Sequence, residues 1–530
     1  MSRTIRLACT LSALTLLASC GGRGVTPPSP LPGPDFSVTV SPVSASAVLG
    51  NPTSAVMISV VPEHGFNAPV DMSLQGLPQG VDAAPPSFSL TPGASQSITF
   101  SVSPSAAVGV FPITVLGSSG SLSHRTSITL NTEPVVSVRT FQSGSLLYLE
   151  SSSGADVSRV GMQTAWGGSI VEVSVNGENF VNAHDAGREV QLAQFDGDGT
   201  PWNPTQGGDI YNHGSPILAQ TVTGDSIYVK TQGYNFSPEP FGGGPDQPVL
   251  QDTYSEMTLT AVPDHSFTFK LHMKVTHFGA DVHTNNFQDF PAVYCNLEDG
   301  KLVIYDNTLP WSNDTLSFST LTDLGGHAPR IYTPEHWFAL VNENDIGLSV
   351  FEPASALYFS GVRVPGDPGP TGFGANYFDP MAMFTFGPNS ILEGDAYLIA
   401  GDYKHARQVI YDLHNQIAVS DIMTPLAVVE QPLANSQVSG KVSVSGWAMD
   451  DTAVSGVDVY LDGVLAGHAT YGGSRSDVGK DFPHAPASIG YMFSLDTSQY
   501  GNGIHTIEVR VLDSSGHLAI LPHVLVTIQN

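Results

Sequence analysis

The feature that most constrains the fold is a strict alternation of apolar and polar residues in short runs along most of the chain. Between residues 266 and 277, every second residue from Phe267 to Val275 is apolar and the residues between them are polar. Successive side chains of a strand point to opposite faces, so this pattern predicts strands with one buried face. Turn sequences such as Asn176-Gly177 separate the runs, and no long stretch shows convincing 3.6-residue periodicity. The sequence therefore predicts an all-β protein.

Composition divides this all-β chain into segments of different character. We predict a signal peptide at residues 1–20, a Pro/Gly-rich tether at 21–34, an Ig-like sandwich at 35–133, a large central antiparallel β-sandwich at 135–422 and a C-terminal Ig-like sandwich at 425–530. The chain of 530 residues is too long for one core, because single cores stop growing at roughly 250–300 residues. The central segment holds four of the five tryptophans and most of the histidines, which makes it the candidate functional domain.

Charge excludes several classes of partner. Only 13% of the residues are charged, and the formal net charge is −29. A nucleic-acid binder needs clustered Lys and Arg to neutralise phosphates, so nucleic acid is excluded as a partner. A polyanionic glycan is disfavoured for the same electrostatic reason, and a neutral carbohydrate is preferred.

The N-terminus predicts the compartment. Arg3 and Arg6 precede a short apolar stretch, which ends at Leu17-Ala18-Ser19-Cys20. This order resembles the signal and lipobox of bacterial lipoproteins, which implies cleavage before Cys20 and acylation of that residue. The resemblance predicts a lipid-anchored protein of the cell envelope, at the outer membrane or the cell surface, with the membrane as a partner through this anchor alone. Of the other cysteines, Cys9 leaves with the signal and Cys295 lies in an apolar, strand-like run that favours a buried thiol.

The two flanking segments resemble known modules. Residues 35–133 contain alternating runs broken every 8–12 residues by turn sequences, and they resemble the Ser/Thr-rich Ig-like modules of bacterial surface proteins. In residues 425–530, a strand runs from Val457 to an Asp462-Gly463 turn, and another spans His505 to Val511. These runs resemble a recurrent bacterial Ig-like appendage. Trp447 is expected to be a core residue of that module.

Candidate catalytic residues come from polar loops of the central segment. A glycosidase needs two carboxyl groups, and we predict Asp185 or Asp209 paired with Glu335, whose aromatic neighbours favour a raised pKa. Polar and aromatic side chains of the same loops are candidates for binding a sugar: His184, Arg188, Gln191, Trp202, Asn203, Gln206, His213, His336, Trp337 and Tyr377. The alternatives are structural, namely an Arg188–Asp185 pair that ties the loop, a turn capped by Glu335 and core packing of Tyr377.

A family resemblance supports a carbohydrate-related function. Residues 165–170 (AWGGSI), residues 175–181 (VNGENFV) and the strand at 266–279 resemble the opening and the long strand of galactose-mutarotase-like supersandwich domains. The resemblance implies a large β-sandwich that acts on or binds carbohydrate. The paired catalytic histidines of the epimerases have no clear match here, so it does not extend to epimerase activity.

The sequence predicts no metal and no cofactor. Asp196-Gly197-Asp198-Gly199 resembles the start of a calcium loop, but the later positions do not fit an EF-hand. His272, His277 and His283 lack a zinc spacing, and the strand pattern places His272 and His277 on opposite faces. There is no HExxH, GxSxG or Walker-type motif.

These observations leave three functions open. The first is a lipid-anchored enzyme that acts on a neutral poly- or oligosaccharide by glycoside hydrolysis. A polysaccharide lyase that uses His184, Arg188 or Tyr377 is the other enzyme considered, and the acidic balance disfavours it. The second is a non-catalytic surface lipoprotein for glycan binding or adhesion, and the third is an envelope structural protein without a ligand.

Overall fold

The computed structural model describes residues 33–184, 187, 189–321, 330–354, 358–380, 382–482 and 485–530. These residues form 40 β-strands and one α-helix, so the prediction of an all-β protein is confirmed. In this described part, no helix combines the length and apolarity that crossing a membrane requires. The lipobox and Cys20 lie outside the described residues.

The N-terminal domain is a sandwich of two sheets, one with the order β1-β3-β7-β5 and the other with the order β2-β9-β8-β4-β6. Its strands are β1 Asp35–Ser41, β2 Ser44–Val48, β3 Val56–Glu63, β4 Val70–Gln75, β5 Val81–Ala84, β6 Ser87–Leu90, β7 Ser95–Val102, β8 Gly109–Ser119 and β9 Leu122–Glu133. Most neighbours run antiparallel, but β2 and β9 are parallel over five paired positions. Alternate residues such as Ile58, Ile98 and Ile113 are fully buried between the two sheets.

The central domain contains 21 strands. They are β10 Val136–Ser143, β11 Leu146–Ser153, β12 Asp156–Gln163, β13 Ser169–Val175, β14 Glu178–Asn179, β15 Val190–Ala193, β16 Pro204–Thr205, β17 Ile217–Val222, β18 Ser226–Asn235, β19 Leu250–Ala261, β20 Thr268–His277, β21 His283–Asn296, β22 Lys301–Ile304, β23 Ser317–Thr320, β24 Arg330–Tyr332, β25 Trp337–Val341, β26 Ile346–Phe351, β27 Tyr358–Val364, β28 Ala375–Pro380, β29 Ala382–Phe386 and β30 Ile391–Asp402.

Two broad antiparallel sheets make up this domain. The first has the order β17-β18-β19-β20-β30-β26-β25-β22-β23. The second has the order β10-β11-β12-β13-β15-β21-β28-β27-β24, with β29 also paired to β21. Their inner faces share one large apolar core, to which Leu149 and Val173 contribute from the second sheet and Leu271 and Leu398 from the first.

Strand β20 shows how the sequence pattern sets the faces of the first sheet. Phe269, Leu271, Met273 and Val275 are fully buried in the shared core, whereas Lys270, His272 and Lys274 lie half-buried on the outer face. The predicted alternation is therefore correct here, and the outer face of this sheet is polar.

The helix α1, Tyr403–Gln416, departs from the prediction that no long stretch has helical periodicity. Its buried residues Ala406, Val409, Ile410 and Leu413 recur at spacings of three and four, which places them on one side of a helix. They pack against Trp337, Ala339 and Ile399 on the outer face of the first sheet. α1 therefore covers one half of that face and leaves the other half, around β18, β19 and β20, uncovered by it.

The C-terminal domain is a second sandwich. Its strands are β31 Leu426–Gln431, β32 Ser436–Val438, β33 Lys441–Met449, β34 Val454–Leu461, β35 Val464–His468, β36 Thr470–Gly473, β37 Gly490–Asp496, β38 Gly503–Asp513, β39 Leu518–Ile520 and β40 Val524–Ile528. They form two sheets, β31-β33-β37-β36 and β32-β40-β38-β34-β35, with β39 paired to β38. Trp447 is buried against Phe482, as expected for a core residue.

Polar contacts join the three domains. Glu133, at the end of β9, accepts hydrogen bonds from the backbone N–H of Ser266 at 2.6 Å and from its hydroxyl at 3.0 Å. At the other joint, the Asn285 amide donates to the carbonyl of Pro425 at 2.9 Å, and the His523 imidazole lies 2.5 Å from Asp198. The flanking domains are thus fixed to the central one by specific hydrogen bonds.

Candidate functional site

The polar loop after β14 packs against a distant loop of the central domain. The side chain of Asn182 donates to the carbonyls of Gly369, Gly372 and Gly374 at 2.9–3.2 Å. His184 is exposed, and its Nδ1 lies 3.0 Å from the carbonyl of Thr371. The predicted catalytic Asp185 and the predicted sugar ligand Arg188 lie outside the described residues, so their roles stay predictions.

Several predicted sugar-binding residues are hydrogen-bonded inside the fold. Gln191 accepts from the backbone N–H of Gly207 at 3.0 Å, and Gln206 both accepts from Leu192 N–H and donates to the carbonyl of Gly167. Asn203, which is half-buried, donates to the carbonyl of Gln194 at 2.8 Å. In this structure these amides hold neighbouring segments together.

The predicted catalytic carboxylates Asp209 and Glu335 have different hydrogen-bond partners. Asp209 is buried, accepts from the backbone N–H of His213 at 2.9 Å and lies 2.7 Å from its Nδ1. Glu335 is fully buried beneath α1 and accepts hydrogen bonds from Tyr411, from the indole of Trp337 and from the backbone of Trp311. The described contacts of these two carboxylates have no residue in common, and the geometry gives both of them structural partners.

The remaining aromatic and histidine candidates also have partners. Trp337 is fully buried in the core under α1, and the Nδ1 of His336 lies 2.9 Å from the carbonyl of Pro353. Burial lowers the pKa of His336. The hydroxyl of Tyr377 donates to Asp289 at 2.8 Å. This contact agrees with the alternative that Tyr377 is a core residue and does not line an open pocket.

Beside Tyr377 lie buried carboxyl groups that the sequence did not single out. Burial raises the pKa of Asp289 to about 6, and burial together with the charge of Asp289 raises that of Asp379 well above its ordinary value. Burial also raises the pKa of Glu352, which is fully enclosed. Perturbed carboxyls often mark functional sites, but these groups have almost no exposed surface through which a ligand could reach them.

A cleft lies over the outer face of the first sheet. It has a volume of about 490 Å³, and its floor is formed by β20 and β30 through Lys270, His272, Asp395 and Tyr397. Its walls are residues 353–354 after β26 and residues 417–420 and 422 after α1. Because α1 covers the neighbouring part of the sheet, the cleft lies where the helix ends and the polar face begins.

Cross-strand register organises the charges of this face into rows. Lys230, Glu256, Lys274 and Glu393 are directly opposite one another on β18, β19, β20 and β30. Lys230 and Glu256 lie 3.2 Å apart, and Lys274 and Glu393 lie 3.1 Å apart. Lysine and glutamate therefore alternate along the row.

The next row lines the cleft itself. His272 lies between two carboxylates, with its Nδ1 at 2.8 Å from Asp395 and its Nε2 at 3.3 Å from Glu393. Lys270 lies 2.7 Å from the other oxygen of Asp395. The hydrogen bond to Asp395 raises the pKa of His272, against a smaller opposing effect of burial. Burial acts to raise the pKa of Asp395, but the hydrogen bonds from His272 and Lys270 outweigh it and lower the pKa.

A second group of polar side chains, which the sequence did not predict, lies beside Trp202. Its ring stacks on His283 at 3.5 Å between centroids, and its indole N–H donates to Asp252 at 3.1 Å. His277 and Asp281 complete a group whose ligand atoms all lie within 4.8 Å of one another and could hold a metal ion. The prediction that His272 and His277 face opposite sides of β20 is correct. Their spacing in the sequence does not show that His283 lies beside His277, with ring centroids 5.0 Å apart.

The acidic loop that resembles the start of a calcium site has protein partners instead. Asp196 accepts from Thr200, from Thr284 and from the backbone of Asp198, while Asp198 itself contacts His523. The carboxylates of this loop therefore join neighbouring segments.

Residues 425–509 match the family described as Bacterial Ig domain. The C-terminal domain is a bacterial Ig-like domain. The match covers the C-terminal part of the chain, and this Ig-like domain says nothing about the activity of the central domain. No curated protein matches this chain.

Solved structures that resemble parts of the chain include three carbohydrate-related enzymes. An endo-β-1,4-mannanase from Thermotoga petrophila has a TM-score of 0.16 at 14% identity, covering 23% of this chain and 24% of its own. A polysaccharide lyase has a TM-score of 0.28 at 10% identity, covering 74% of this chain and 47% of its own. A cycloalternan-forming enzyme from Listeria monocytogenes has a TM-score of 0.17 at 11% identity, covering 68% of this chain and 30% of its own.

This chain spans less than half the length of the mannanase and of the lyase. With TM-scores this low, these likenesses carry no argument about function.

Proposed function

We propose that this chain is a lipid-anchored protein of the cell envelope whose central domain binds a neutral oligosaccharide in the cleft over β20 and β30. The observation that supports this proposal is the balance of charge on the polar face. Three lysines, Lys230, Lys270 and Lys274, are each within 3.2 Å of a carboxylate of Glu256, Asp395 or Glu393. A charged ligand would meet groups of both signs there.

A sugar suits this pattern because each hydroxyl group both donates and accepts a hydrogen bond. Lys270 and His272 are donors beside the acceptors Glu393 and Asp395, so vicinal hydroxyls can bridge adjacent groups. The apolar residues Ile417, Val419 and Ile422 line the opposite wall and can contact the C–H face of a sugar ring. The volume of about 490 Å³ lies within the range of typical ligand pockets, roughly 300–1,000 Å³.

The anchored location rests on the lipobox-like sequence that ends at Cys20 and on the Pro/Gly-rich residues that follow. A tether of this composition would hold the three domains away from the membrane surface. Such a position gives the cleft access to extracellular glycans.

Glycan binding by the purified full-length protein in detergent tests the proposal. Against a panel of neutral and uronic-acid-containing oligosaccharides, we expect binding to neutral members only. His272→Ala and Asp395→Asn should weaken that binding at least tenfold, since the first removes a polar group from the cleft floor and the second replaces an acceptor oxygen by an amide donor. His468→Ala is the matched control, because His468 forms a similar imidazole–carboxylate pair with Asp458 in the C-terminal domain. Absence of binding to every neutral glycan, or unchanged binding by both cleft variants, would contradict the proposal.

Glycoside hydrolysis is a second candidate function, and one observation favours it. Glu393 and Asp395 lie two residues apart on β30 and both line the cleft. Two residues along a strand span about 6.6 Å, which is near the separation of roughly 6.5–9.5 Å used by inverting glycosidases. Asp395, with its lowered pKa, would be the base, and Glu393 is the second carboxyl of the pair.

Product analysis separates binding from hydrolysis. If the chain is an inverting hydrolase, a bound glycan should release new reducing ends of inverted anomeric configuration, and Glu393→Gln should abolish turnover while leaving glycan binding measurable. Stable binding without any product would assign the cleft to recognition alone.

A further inference from the structure

The two histidines that contact Trp202 come from different sheets. His277 is the last residue of β20 in the first sheet, and His283 is the first residue of β21 in the second. Residues 278–282 carry the chain across from one sheet to the other, so the two imidazoles converge with ring centroids 5.0 Å apart. Asp252 approaches from β19 and Asp281 from the crossing loop.

Hydrogen bonds outside the group orient both imidazoles. The Nδ1 of His277 lies 2.8 Å from the carbonyl of Gly387, which can only accept, so Nδ1 carries the proton. The Nδ1 of His283 lies 3.1 Å from Asp196, a carboxylate already fixed by Thr284 and Thr200. Both rings therefore turn their Nε2 atoms towards Asp281. Partners of this kind on the second ring nitrogen are typical of metal-ligating histidines.

One of these nitrogens has no hydrogen-bond partner. The side chain of His283 is only 6% exposed, and its buried Nε2 accepts or donates no hydrogen bond. Its nearest carboxylate oxygen, on Asp281, is 3.7 Å away, which is too long for a hydrogen bond. A buried nitrogen left unpaired is costly, and a cation at the centre of the group would satisfy it.

The carboxylate of Asp252 is oriented in the same way. Its Oδ1 accepts from the indole of Trp202, and its Oδ2 lies 3.2 Å from the Nε2 of His277. Trp202 itself is buried and stacks on His283, so it shields the group on one side.

Glycine at position 279 leaves room beside these atoms. A Cβ on Gly279 would lie 2.1 Å from Asp252 Oδ2, 2.5 Å from His277 Nε2 and 2.7 Å from Asp281 Oδ1. A side chain there would displace the ligand atoms, so the space is open only because residue 279 is glycine.

We propose that Asp252, His277, Asp281 and His283 bind one Zn²⁺ ion. Four ligands at about 2.0–2.1 Å in a tetrahedron lie about 3.3 Å from one another. His277 Nε2 lies 3.2 Å from Asp252 and 3.4 Å from Asp281, which fits this requirement before any adjustment. Two imidazoles favour a transition metal over Ca²⁺ or Mg²⁺, which take all-oxygen sites.

The ion would cross-link the two sheets of the central domain. Its ligands come from β19 and β20 on one side, from β21 on the other and from the loop between them. In the described part of the chain the single cysteine, Cys295, is free and buried, so no disulfide provides such a link. The exposed carboxylate of Asp281 is the ligand nearest to solvent and gives the ion its way in.

Metal content and thermal stability of the tag-free, full-length protein test this assignment. After incubation with ZnCl₂ and desalting, elemental analysis should find about one Zn²⁺ per chain, and EDTA should lower the melting temperature. His283→Ala should lose the zinc. His272→Ala is the matched control, because His272 also lies between two carboxylates but does not belong to the group, and it should keep the zinc.

Two gentler variants keep the test decisive if His283→Ala fails to fold. Asp281→Asn changes an exposed side chain, so it should reduce zinc affinity at least tenfold while the metal-free melting temperature stays close to that of the wild type. Gly279→Ala removes no ligand but displaces the ligand atoms, and it should also reduce zinc affinity at least tenfold. Zinc content equal to that of the wild type in all three variants, no zinc on the wild-type chain, or retention of Ca²⁺ in place of Zn²⁺ would each overturn the proposal.

Discussion

At the scale of single residues, Glu335 shows how a carboxylate placed among aromatic side chains can be structural. Its Oε1 accepts from the backbone of Trp311 at 2.8 Å and from the hydroxyl of Tyr411 at 2.5 Å, and its Oε2 accepts from the indole of Trp337 at 2.9 Å. The hydroxyl of Tyr411 therefore joins α1 to the turn before β25. The sequence shows the aromatic neighbours but not that they are donors pointing at the carboxylate.

We expect Glu335→Gln to lower the free energy of unfolding by about 2–4 kcal/mol, because the amide N–H₂ would face a donor within a closed site. Chemical denaturation of the variant measures this loss. Glu343→Gln, which changes an exposed glutamate in the following turn, is the control and should behave like the wild type. If Glu335→Gln abolished a measured glycosidase activity without loss of stability, the catalytic prediction would be favoured instead.

At the scale of elements, α1 is the feature that the sequence analysis missed although its signals were present. Asp402 precedes the helix, and its Oδ1 accepts from the backbone N–H of Lys404 at 2.8 Å, which is an N-cap. The spacing of Ala406, Val409, Ile410 and Leu413 marks the buried side. A single helix among many strands is easily overlooked when the alternation of strands dominates the pattern.

Removing this cap should weaken the helix. We expect Asp402→Ala to cost about 1 kcal/mol and to raise hydrogen exchange in the first turn of α1, because an N–H loses its acceptor. Asp402→Asn keeps a side-chain acceptor and is the matched control. Equal exchange in the two variants would show that the cap contributes nothing.

Strand periodicity also explains which part of each candidate site could be predicted. The pattern in β20 correctly separates His272 on the polar face from His277 at the buried end, because the side-chain period is two. It contains no information about the loop at 278–282, which passes between sheets and brings His283 to His277. Contacts across the sandwich depend on the order of strands in both sheets. The alternation of apolar and polar residues within one strand does not determine that order.

Across the molecule as a whole, the joint between the central and C-terminal domains contains a histidine held between two carboxylates. His523 lies between Asp198 of the central domain and Glu508 of the C-terminal domain, at 2.5 Å and 3.2 Å. The hydrogen bond to Glu508, followed by that to Asp198, raises the pKa of His523 to about 9, against the opposing effect of burial. The pKa of Glu508 is correspondingly lowered, chiefly by its hydrogen bond to His523.

Because the pKa of His523 is raised in the folded state, its protonation stabilises the fold. An unfolded histidine has a pKa near 6.5, so the folded state binds the proton more tightly. The stabilisation is complete below about pH 6.5 and is lost as the pH rises through about 9. We expect the melting temperature of the wild type to exceed that of His523→Gln at pH 6 and the difference to shrink towards pH 9.5. A difference that stayed constant across this range would contradict the assigned pair.

The parallel pairing of β2 with β9 has a mechanical consequence when the two ends of the N-terminal domain are pulled apart. Five positions, from Ser44 opposite Thr129 to Val48 opposite Glu133, are aligned in the same direction. When the chain before β2 and the chain after β9 are pulled apart, these hydrogen bonds are loaded together in shear and do not open one by one. The arrangement recurs in the C-terminal domain, where β32 runs parallel to β40. Under the proposed anchor and glycan site, drag on a bound glycan would load the β2–β9 pair in shear.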